Sequence, residues 1–417
     1  MKRRTLKLVF LFALLVRVTV MSLLLPQLNP NQNPDYYREL GRNLSSGKGF
    51  VATALDGREL PNINRPPGYP IFLAGLMKVT GGDHLDVLLF VNCTLAALAC
   101  VLTVLLASRW LSSRAAVLAG LLVALDPNSI LRCSMVMTEM LFTLLLLAGA
   151  CVVAWRREKG YAWLLCGILW GLATLCRAIT LYLPFLVVLL LFLWRARAQH
   201  FFLFLFLVGF LPLIGLWTVR NEHLTGQYFF SSSGKNVLVT GWAAEMEQQR
   251  TGVPMEVARE RTLARTGSIE FFDNREQFGK TQQEQAKLLH ETVAAAPLRL
   301  VVEMLRGTGE TLLGPGSRSL ETVLREPATG RRWWQIPYSA LLLLLVVLAI
   351  GGAVRRGRET ALLTMLVLYF VALSIQPIGN SRFRYPVMPL LAILAVAAFT
   401  KPNERAGDES KSVYHGN

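Results

Sequence analysis

A series of long, uninterrupted apolar runs constrains this chain more than any other feature. A helix needs about 20 apolar residues to cross the hydrocarbon core of a bilayer. Runs close to that length are LKLVFLFALLVRVTVMSLLL (6–25), AITLYLPFLVVLLLFLW (178–194), FFLFLFLVGFLPLIGLW (201–217) and SALLLLLVVLAIGGAV (339–354). One such run could be a buried core helix, but a series of them could not. Charged residues make up 17% of the chain, below the roughly 25% of soluble domains. The chain is therefore predicted to be an all-α polytopic membrane protein.

Hydropathy and length predict about ten transmembrane helices. Their expected positions are 6–25, 84–107, 114–126, 134–154, 161–177, 178–195, 200–218, 337–354, 360–376 and 384–399. The shorter apolar segment 67–79 opens with prolines, which suit a helix start, and is predicted to be re-entrant or interfacial. Residues 1–400 are expected to form one membrane domain, followed by a polar, disordered tail, 401–417.

Basic residues in the short connectors predict the orientation of these helices, because such residues favour the cytoplasmic side. Placing Met1 in the cytoplasm puts every short basic connector on that side. These connectors contain Lys2, Arg3, Arg4, Arg109, Arg114, Arg156, Arg157, Lys159, Arg195, Arg197, Arg355, Arg356 and Arg358. Both termini are then cytoplasmic, and two long segments, 26–66 and 219–336, lie on the external side.

The second external segment is polar and has the apolar spacing of helices that lie on the membrane surface or on the bundle. Helical stretches are predicted at 243–265 and 275–296, with a further piece after Pro297. Nothing in the segment indicates an independent domain with its own core. The membrane bundle and its external loops are therefore expected to form the functional site.

The charge and the cysteine content limit the classes of ligand and partner that this protein is expected to bind. The net charge is +16, but the basic residues lie between apolar segments, where they anchor helices, so a nucleic-acid partner is not indicated. The six cysteines lie in or beside apolar segments without paired spacing, which indicates small buried apolar side chains rather than a disulfide or metal framework. No cofactor is predicted, and the sequence leaves a divalent-metal requirement open.

The first external segment contains a candidate carboxylate and a candidate cation. Asp35 precedes a short helical pattern, so it is either a helix N-cap or a catalytic group. Arg65 precedes the stiff sequence Pro66-Pro67-Gly68-Tyr69-Pro70, which returns the chain to the membrane. Its guanidinium could bind lipid headgroups at the interface or the phosphate of a substrate.

Other ionisable residues are expected at the outer ends of later spans. Glu139 lies within an apolar helix, where a charge is costly, so it is either functional or the partner of a structural arginine. The outer loops also contain Arg177, Arg220, Arg382 and Arg384. Guanidinium groups suit phosphate oxygens. The pattern therefore predicts an external cavity that holds a charged head group while its hydrocarbon tail stays in the bilayer.

Several segments, in the same order along the chain, resemble family 39 glycosyltransferases of the C-type (GT-C) superfamily. These segments are DYYRELGRNLSSGKGF, RPPGYPIFLAGL, SMVMTEMLFTLLLL, GILWGLATLCRAITLYLPF, LWTVRNEHLTGQYFFSSSGKNVLVTGW, AAAPLRLVVEMLR and FRYPVMPLLAILAV. Relatives include protein O-mannosyltransferases and lipid A aminoarabinose transferases. The resemblance implies a GT-C fold in the inner membrane of a bacterium. It also implies inverting transfer of a sugar from an undecaprenyl-type monophosphate to a lipid, glycan or protein acceptor on the periplasmic face.

The resemblance also implies roles for individual residues. Asp35 would be the general base, and Glu139 would orient the acceptor or an arginine. The implied ligands of the donor phosphate are Arg65, Arg177, Arg220 and Arg384. The implied substrate contacts are Tyr36, Tyr69, Asn221 and Tyr385. The family pattern often has a second acidic residue after the first-loop aspartate, whereas this chain has Tyr36.

Three other functions compete with this interpretation. A transporter or flippase would explain the intramembrane charges, although no internal repeat is visible and the polar residues cluster on one face. A polymerase or ligase that uses polyprenyl diphosphates would rely on a large external loop such as 219–336. A structural scaffold would not require an outward cluster of arginines and carboxylates.

Overall fold

The computed structural model describes residues 1–54, 57–194, 199–316, 324, 333–375 and 379–400, and helices dominate these residues. The first nine α-helices are α1 (Arg3–Leu24), α2 (Tyr37–Ser45), α3 (Gly68–Thr80), α4 (Leu85–Ala107), α5 (Ser113–Ala124), α6 (Pro127–Arg132), α7 (Glu139–Arg156), α8 (Gly160–Cys176) and α9 (Leu183–Trp194). The later ones are α10 (Gln199–Thr225), α11 (Ser233–Val237), α12 (Ala244–Thr251), α13 (Met255–Thr266), α14 (Arg275–Ala295), α15 (Pro297–Leu313), α16 (Gln335–Arg356), α17 (Ala361–Leu373) and α18 (Met388–Ala397).

Each of the ten predicted spans coincides with an apolar helix, so the prediction of an all-α membrane protein is confirmed. Five helical runs are long and apolar enough to cross a bilayer: Arg3–Gln27, Leu85–Ala107, Glu139–Arg156, Gln199–Thr225 and Gln335–Leu373, the last of which contains α16 and α17. Four shorter apolar helices are Ser113–Ala124, Gly160–Cys176, Ala178–Trp194 and Met388–Ala397. The tail 401–417 lies outside the described residues.

Three local predictions differ from the structure. The stretch 243–265 is two helices, because Gly252 adopts a positive φ of 72° and Pro254 follows it before α13 begins. The last span begins at Met388, and Arg384 lies in a preceding 3₁₀ turn, Ser381–Arg384. A small antiparallel hairpin, β1 (Val51–Thr53) with β2 (Glu59–Pro61), lies in the segment 26–66, where no strand was predicted.

Glycines allow α8 and α10 to pack closely against each other. A Cβ added at Gly167 of α8 would lie 2.1 Å from the Phe206 carbonyl oxygen of α10, and one at Gly209 would lie 2.5 Å from the Leu164 carbonyl oxygen. Backbones can approach this closely only where side chains are small, as in many membrane bundles. The cysteines pack as the sequence predicts, since five are buried and Cys151 is half-buried.

The N-terminus of α3 rests directly on the C-terminus of α8. A Cβ at Gly68 would lie 2.8 Å from the backbone carbonyl carbon and oxygen of Leu175. This contact fixes the chain just after Arg65 against the chain just before Arg177. The two arginines therefore reach the site from segments that are packed together.

Candidate active site

The backbone at Asp35 directs its carboxylate away from α2. Asp35 and Tyr36 have φ values of 60° and 62°, the left-handed region that non-glycine residues adopt rarely and at a cost. The N-cap position of α2 is Tyr36, and the side chain that satisfies a first-turn amide is Asn33. Its Oδ1 accepts from the Glu39 amide at 3.2 Å, and its Nδ2 donates to the Glu39 carboxylate at 3.2 Å. The alternative that Asp35 is an N-cap is therefore not what the structure shows.

Two arginines from distant parts of the chain hold the Asp35 carboxylate. Arg65 donates to Asp35 Oδ1 at 2.8 Å, and Arg382 donates to Asp35 Oδ2 at 3.0 Å. Arg65 precedes α3, and Arg382 lies in the 3₁₀ turn before α18. Each oxygen thus has its own guanidinium partner.

A second, deeper carboxylate extends this network. Glu139, the first residue of α7, is 0% exposed. Its Oε1 lies 2.8 Å from Arg177 Nη1 and 3.4 Å from Arg382 Nε. Arg382 therefore bridges the two carboxylates. We call Asp35, Arg65, Glu139, Arg177 and Arg382 the arginine–carboxylate cluster.

The cluster controls the protonation of Asp35. Burial alone would raise the pKa of this carboxyl, but the positive charges of Arg382, Arg65 and Arg177 outweigh burial and lower the pKa to about 2. Asp35 is therefore ionised at neutral pH. As long as both guanidiniums hold it, Asp35 has little tendency to accept a proton.

Residues 267–278 lie against one side of the cluster. Glu270, between α13 and α14, lies with its Oε1 3.9 Å from Arg65 Nη2 and accepts a hydrogen bond from Asn64 Nδ2. The ring of Phe271 contacts that of Tyr36 edge-on, with centroids 5.8 Å apart. Ile269, Phe272 and Phe278 pack with Ile63 in a small apolar core.

Tyr69 lies beneath the cluster rather than exposed within it. Its side chain is buried, its ring meets that of Tyr37 edge-on at 5.5 Å, and it stacks on Phe72 at 6.1 Å. The Arg65 guanidinium lies 5.7 Å from the Tyr37 ring centroid. Tyr69 thus supports Tyr37, which in turn contacts the arginine of the site.

Arg220 and Asn221 bind the protein backbone. Arg220 donates to the Asn62 carbonyl at 2.7 Å and lies over the Trp217 ring at 4.5 Å. Asn221 is buried and donates to the Phe229 and Phe230 carbonyls. Because the Asn62 side chain accepts from the Arg65 amide at 2.9 Å, Arg220 supports the segment that carries Arg65.

Arg384 and Tyr385 also differ from their expected positions. Arg384 is buried and donates to the carbonyls of Thr311 and Leu312 at 3.1 and 2.9 Å, and to the Tyr338 hydroxyl at 3.3 Å. Tyr385 is buried in an apolar core beside α1 and α4. Arg384 therefore joins α15 and α16 to the last 3₁₀ turn, whereas Arg382 faces Asp35.

Two residues of the site were not singled out from the sequence. Arg382 was one of two arginines in SRFR, and nothing in that motif predicts which of them faces Asp35. Glu270 lies in a polar segment rich in charged residues, so a carboxylate at this position does not by itself indicate a functional residue. Residues 267–273 approach the segment 26–66 through a tertiary contact, which local sequence patterns do not predict.

Part of the chain matches the model of a known protein family. Residues 64–217 match the family model described as dolichyl-phosphate-mannose-protein mannosyltransferase, and this range contains Arg65, Glu139 and Arg177. No curated protein sequence matches the chain.

Solved structures resemble the chain over nearly its whole length. The Archaeoglobus fulgidus oligosaccharyltransferase tethered to an acceptor peptide aligns with a TM-score of 0.56 and 14% identity, covering 95% of this chain and 49% of that one. The same organism's oligosaccharyltransferase AglB, in complex with an inhibitory peptide and dolichol-phosphate, has a TM-score of 0.54 and 14% identity, covering 94% and 50%. The chain thus spans about half the length of these enzymes.

A further likeness is to ArnT from Cupriavidus metallidurans bound to undecaprenyl phosphate, with 15% identity over 96% of this chain and 78% of that one. Its TM-score of 0.43 is too low to support an assignment. With the fold of these oligosaccharyltransferases and a family match over residues 64–217, this membrane protein resembles the GT-C superfamily of membrane glycosyltransferases.

Proposed function

We propose that the chain transfers a sugar, with inversion, from a polyprenyl monophosphate to an acceptor hydroxyl on the external face of a bacterial inner membrane. The observation that carries this proposal is the Asp35 carboxylate held between Arg65 and Arg382 at 2.8 and 3.0 Å. The arrangement combines a base with cations that suit a departing phosphate. The fold of the oligosaccharyltransferase that was solved with dolichol-phosphate supports a lipid-phosphate donor.

In the proposed reaction, Asp35 accepts the proton of the acceptor hydroxyl as that oxygen attacks the anomeric carbon. The bond between this carbon and the phosphate oxygen breaks, and polyprenyl phosphate leaves as an anion. Arg65, Arg382 and Arg177 stabilise its charge through charge-assisted hydrogen bonds. The leaving group is already a stable anion, so it does not need the general acid that glycosidases use.

An apolar groove supports a lipid substrate. It has a volume of about 670 Å³, lies between α5, α16 and α18, and contains Asp126 and Tyr338 at one end. Tyr338 donates to Asp126 at 2.5 Å and accepts from Arg384 at 3.3 Å. Because Arg384 and Arg382 share one 3₁₀ turn, the hydrocarbon tail of a lipid lying in this groove would end near the arginine–carboxylate cluster.

The proposal is tested with the purified chain in liposomes, supplied with a panel of polyprenyl monophosphate sugars and candidate acceptors. We expect release of polyprenyl phosphate and an inverted glycosidic product. The Asp35→Asn variant should lose roughly 10²–10⁴-fold in rate, the usual contribution of a positioned base. Asp273→Asn is the matched control, because that exposed carboxylate pairs with Arg58 at 2.6 Å outside the cluster.

Near-normal transfer by Asp35→Asn would refute the assignment of the base. Exclusive use of polyprenyl diphosphates would favour the polymerase or ligase alternative. Passage of the lipid across the bilayer without sugar transfer would favour the flippase alternative.

A further inference from the structure

Each arginine that holds Asp35 has a second carboxylate within reach. Arg382 lies 3.0 Å from Asp35 and 3.4 Å from Glu139. Arg65 lies 2.8 Å from Asp35 and 3.9 Å from Glu270. The Asp35 carboxylate is therefore held by two shared cations, not by two dedicated partners.

This sharing matters because a fully clamped Asp35 is a poor base. The two arginines hold its pKa near 2, and a base works best when its pKa is near the operating pH. An incoming phosphate would attract the same guanidiniums and loosen their hold on Asp35. Glu270 competes for Arg65, so it weakens the hold of Arg65 on Asp35 and also limits how tightly the same guanidinium binds a phosphate.

Glu270 is built into its position by the external segment. Asn64, next to Arg65 in the chain, donates to the Glu270 carboxylate, and the Glu270 side chain is 16% exposed. Ser231 donates to the Asn64 carbonyl at 2.6 Å, which ties the same loop to the stretch after α10. The neighbours Ile269 and Phe272 are buried against Ile63.

We propose that Glu270 is a positioning residue: it shares Arg65 with Asp35, so that donor phosphate can take the arginine and release Asp35 for proton abstraction. This role rests on the proposed function. It also assigns a task to the external segment 219–336, because that segment supplies the carboxylate that the first loop lacks at Tyr36.

The test compares Glu270→Gln with wild type in two measurements. The amide keeps a hydrogen-bond acceptor for Asn64 but removes the negative charge. Arg65 should then interact more strongly with Asp35 and with a bound phosphate. We expect undecaprenyl phosphate to bind about five-fold more tightly, the scale of one partly exposed charge pair. Turnover at saturating donor should fall while KM for the donor does not rise, and the acidic limb of the pH profile of kcat should move to lower pH.

Controls separate this role from simple support of the loop. Glu270→Asp keeps the charge and should return both quantities toward the wild-type values. Asp273→Asn, in the same segment, should leave both unchanged. In an Arg65→Ala background, Glu270→Gln should no longer affect binding of undecaprenyl phosphate, since the effect passes through Arg65.

Wild-type turnover and affinity in Glu270→Gln would overturn the inference, as would a raised donor KM with unchanged kcat. The binding measurement needs no turnover. Unchanged affinity in Glu270→Gln would therefore defeat the inference even where transfer occurs. Absence of transfer by the wild type from every polyprenyl monophosphate sugar would defeat the proposed function instead.

Discussion

At the scale of single residues, the two consecutive left-handed residues Asp35 and Tyr36 are the most informative feature. Left-handed backbone is tolerated by aspartate but is costly for tyrosine, by about 1–3 kcal/mol. Such strain persists only where surrounding contacts hold it. Here the ion pairs of Asp35 with Arg65 and Arg382, and the contact of Tyr36 with Phe271, supply those contacts.

Arg382 and Arg384 provide a residue-scale test, because they are two positions apart but have different partners. Arg382→Ala should raise the donor KM roughly tenfold or more, since a hydrogen bond to a charged group contributes about 1.5–3 kcal/mol. Arg384→Ala should instead lower the thermal unfolding midpoint, because its partners are the carbonyls of Thr311 and Leu312. Steady-state kinetics and thermal unfolding of both variants would check this. A larger effect on the donor KM for Arg384→Ala than for Arg382→Ala would show that the assignment of Arg382 to the phosphate is wrong.

At the scale of structural elements, the end-to-end contact between α3 and α8 sets the distance between Arg65 and Arg177. Gly68 permits this contact because it has no side chain to meet the Leu175 carbonyl. Arg177 immediately follows α8 in extended backbone, with φ of −148°. The position of each arginine is thus decided by a helix end and not by a flexible loop.

Gly68→Ala tests this contact, because the added methyl would lie 2.8 Å from backbone atoms of α8. Overpacking of this kind costs about 1–3 kcal/mol of stability. A displacement of about 1 Å at the site can lower the rate roughly 100-fold. Gly75→Ala is the matched control, since a Cβ there has no neighbour within 4 Å. Equal rates and unfolding midpoints for the two variants would contradict the role of the contact.

At the scale of the whole molecule, the helix bundle brings distant segments to one end. Asp35 follows α1, Glu139 begins α7, Arg177 follows α8 and Arg382 precedes α18. The two faces of a membrane protein are accessible from different compartments. The side of the membrane on which this common end lies is therefore a question of topology. The basic connectors predict that it faces away from the cytoplasm.

Cysteine labelling checks that orientation. Ser46 follows α2 and Ser113 begins α5, and both are exposed. A membrane-impermeant maleimide should label Ser46→Cys in intact cells and Ser113→Cys only after the membrane is opened. The five buried native cysteines limit the background. The reverse pattern would place Asp35 in the cytoplasm and exclude an external active site.

The sequence by itself determined the membrane class, the ten apolar helices and two residues that lie in contact, Asp35 and Arg65. Apolar length and helix-start signals act locally, so they can be read along the chain. The same local patterns predicted one helix in place of α12 and α13, and a last span that begins at Arg384. Both predictions were wrong, because the ends of helices depend on turns and caps.

Only the tertiary structure decided which charges meet. Arg382 contacts Asp35 across 347 positions of the chain, and Glu270 approaches Arg65 from the segment between α13 and α14. Their neighbours Arg384 and Asp273 have the same charges and similar positions in the sequence, yet they bind elsewhere. The spacing of charged residues along the sequence does not indicate which of them will form ion pairs. The packing of helices and loops determines the pairs.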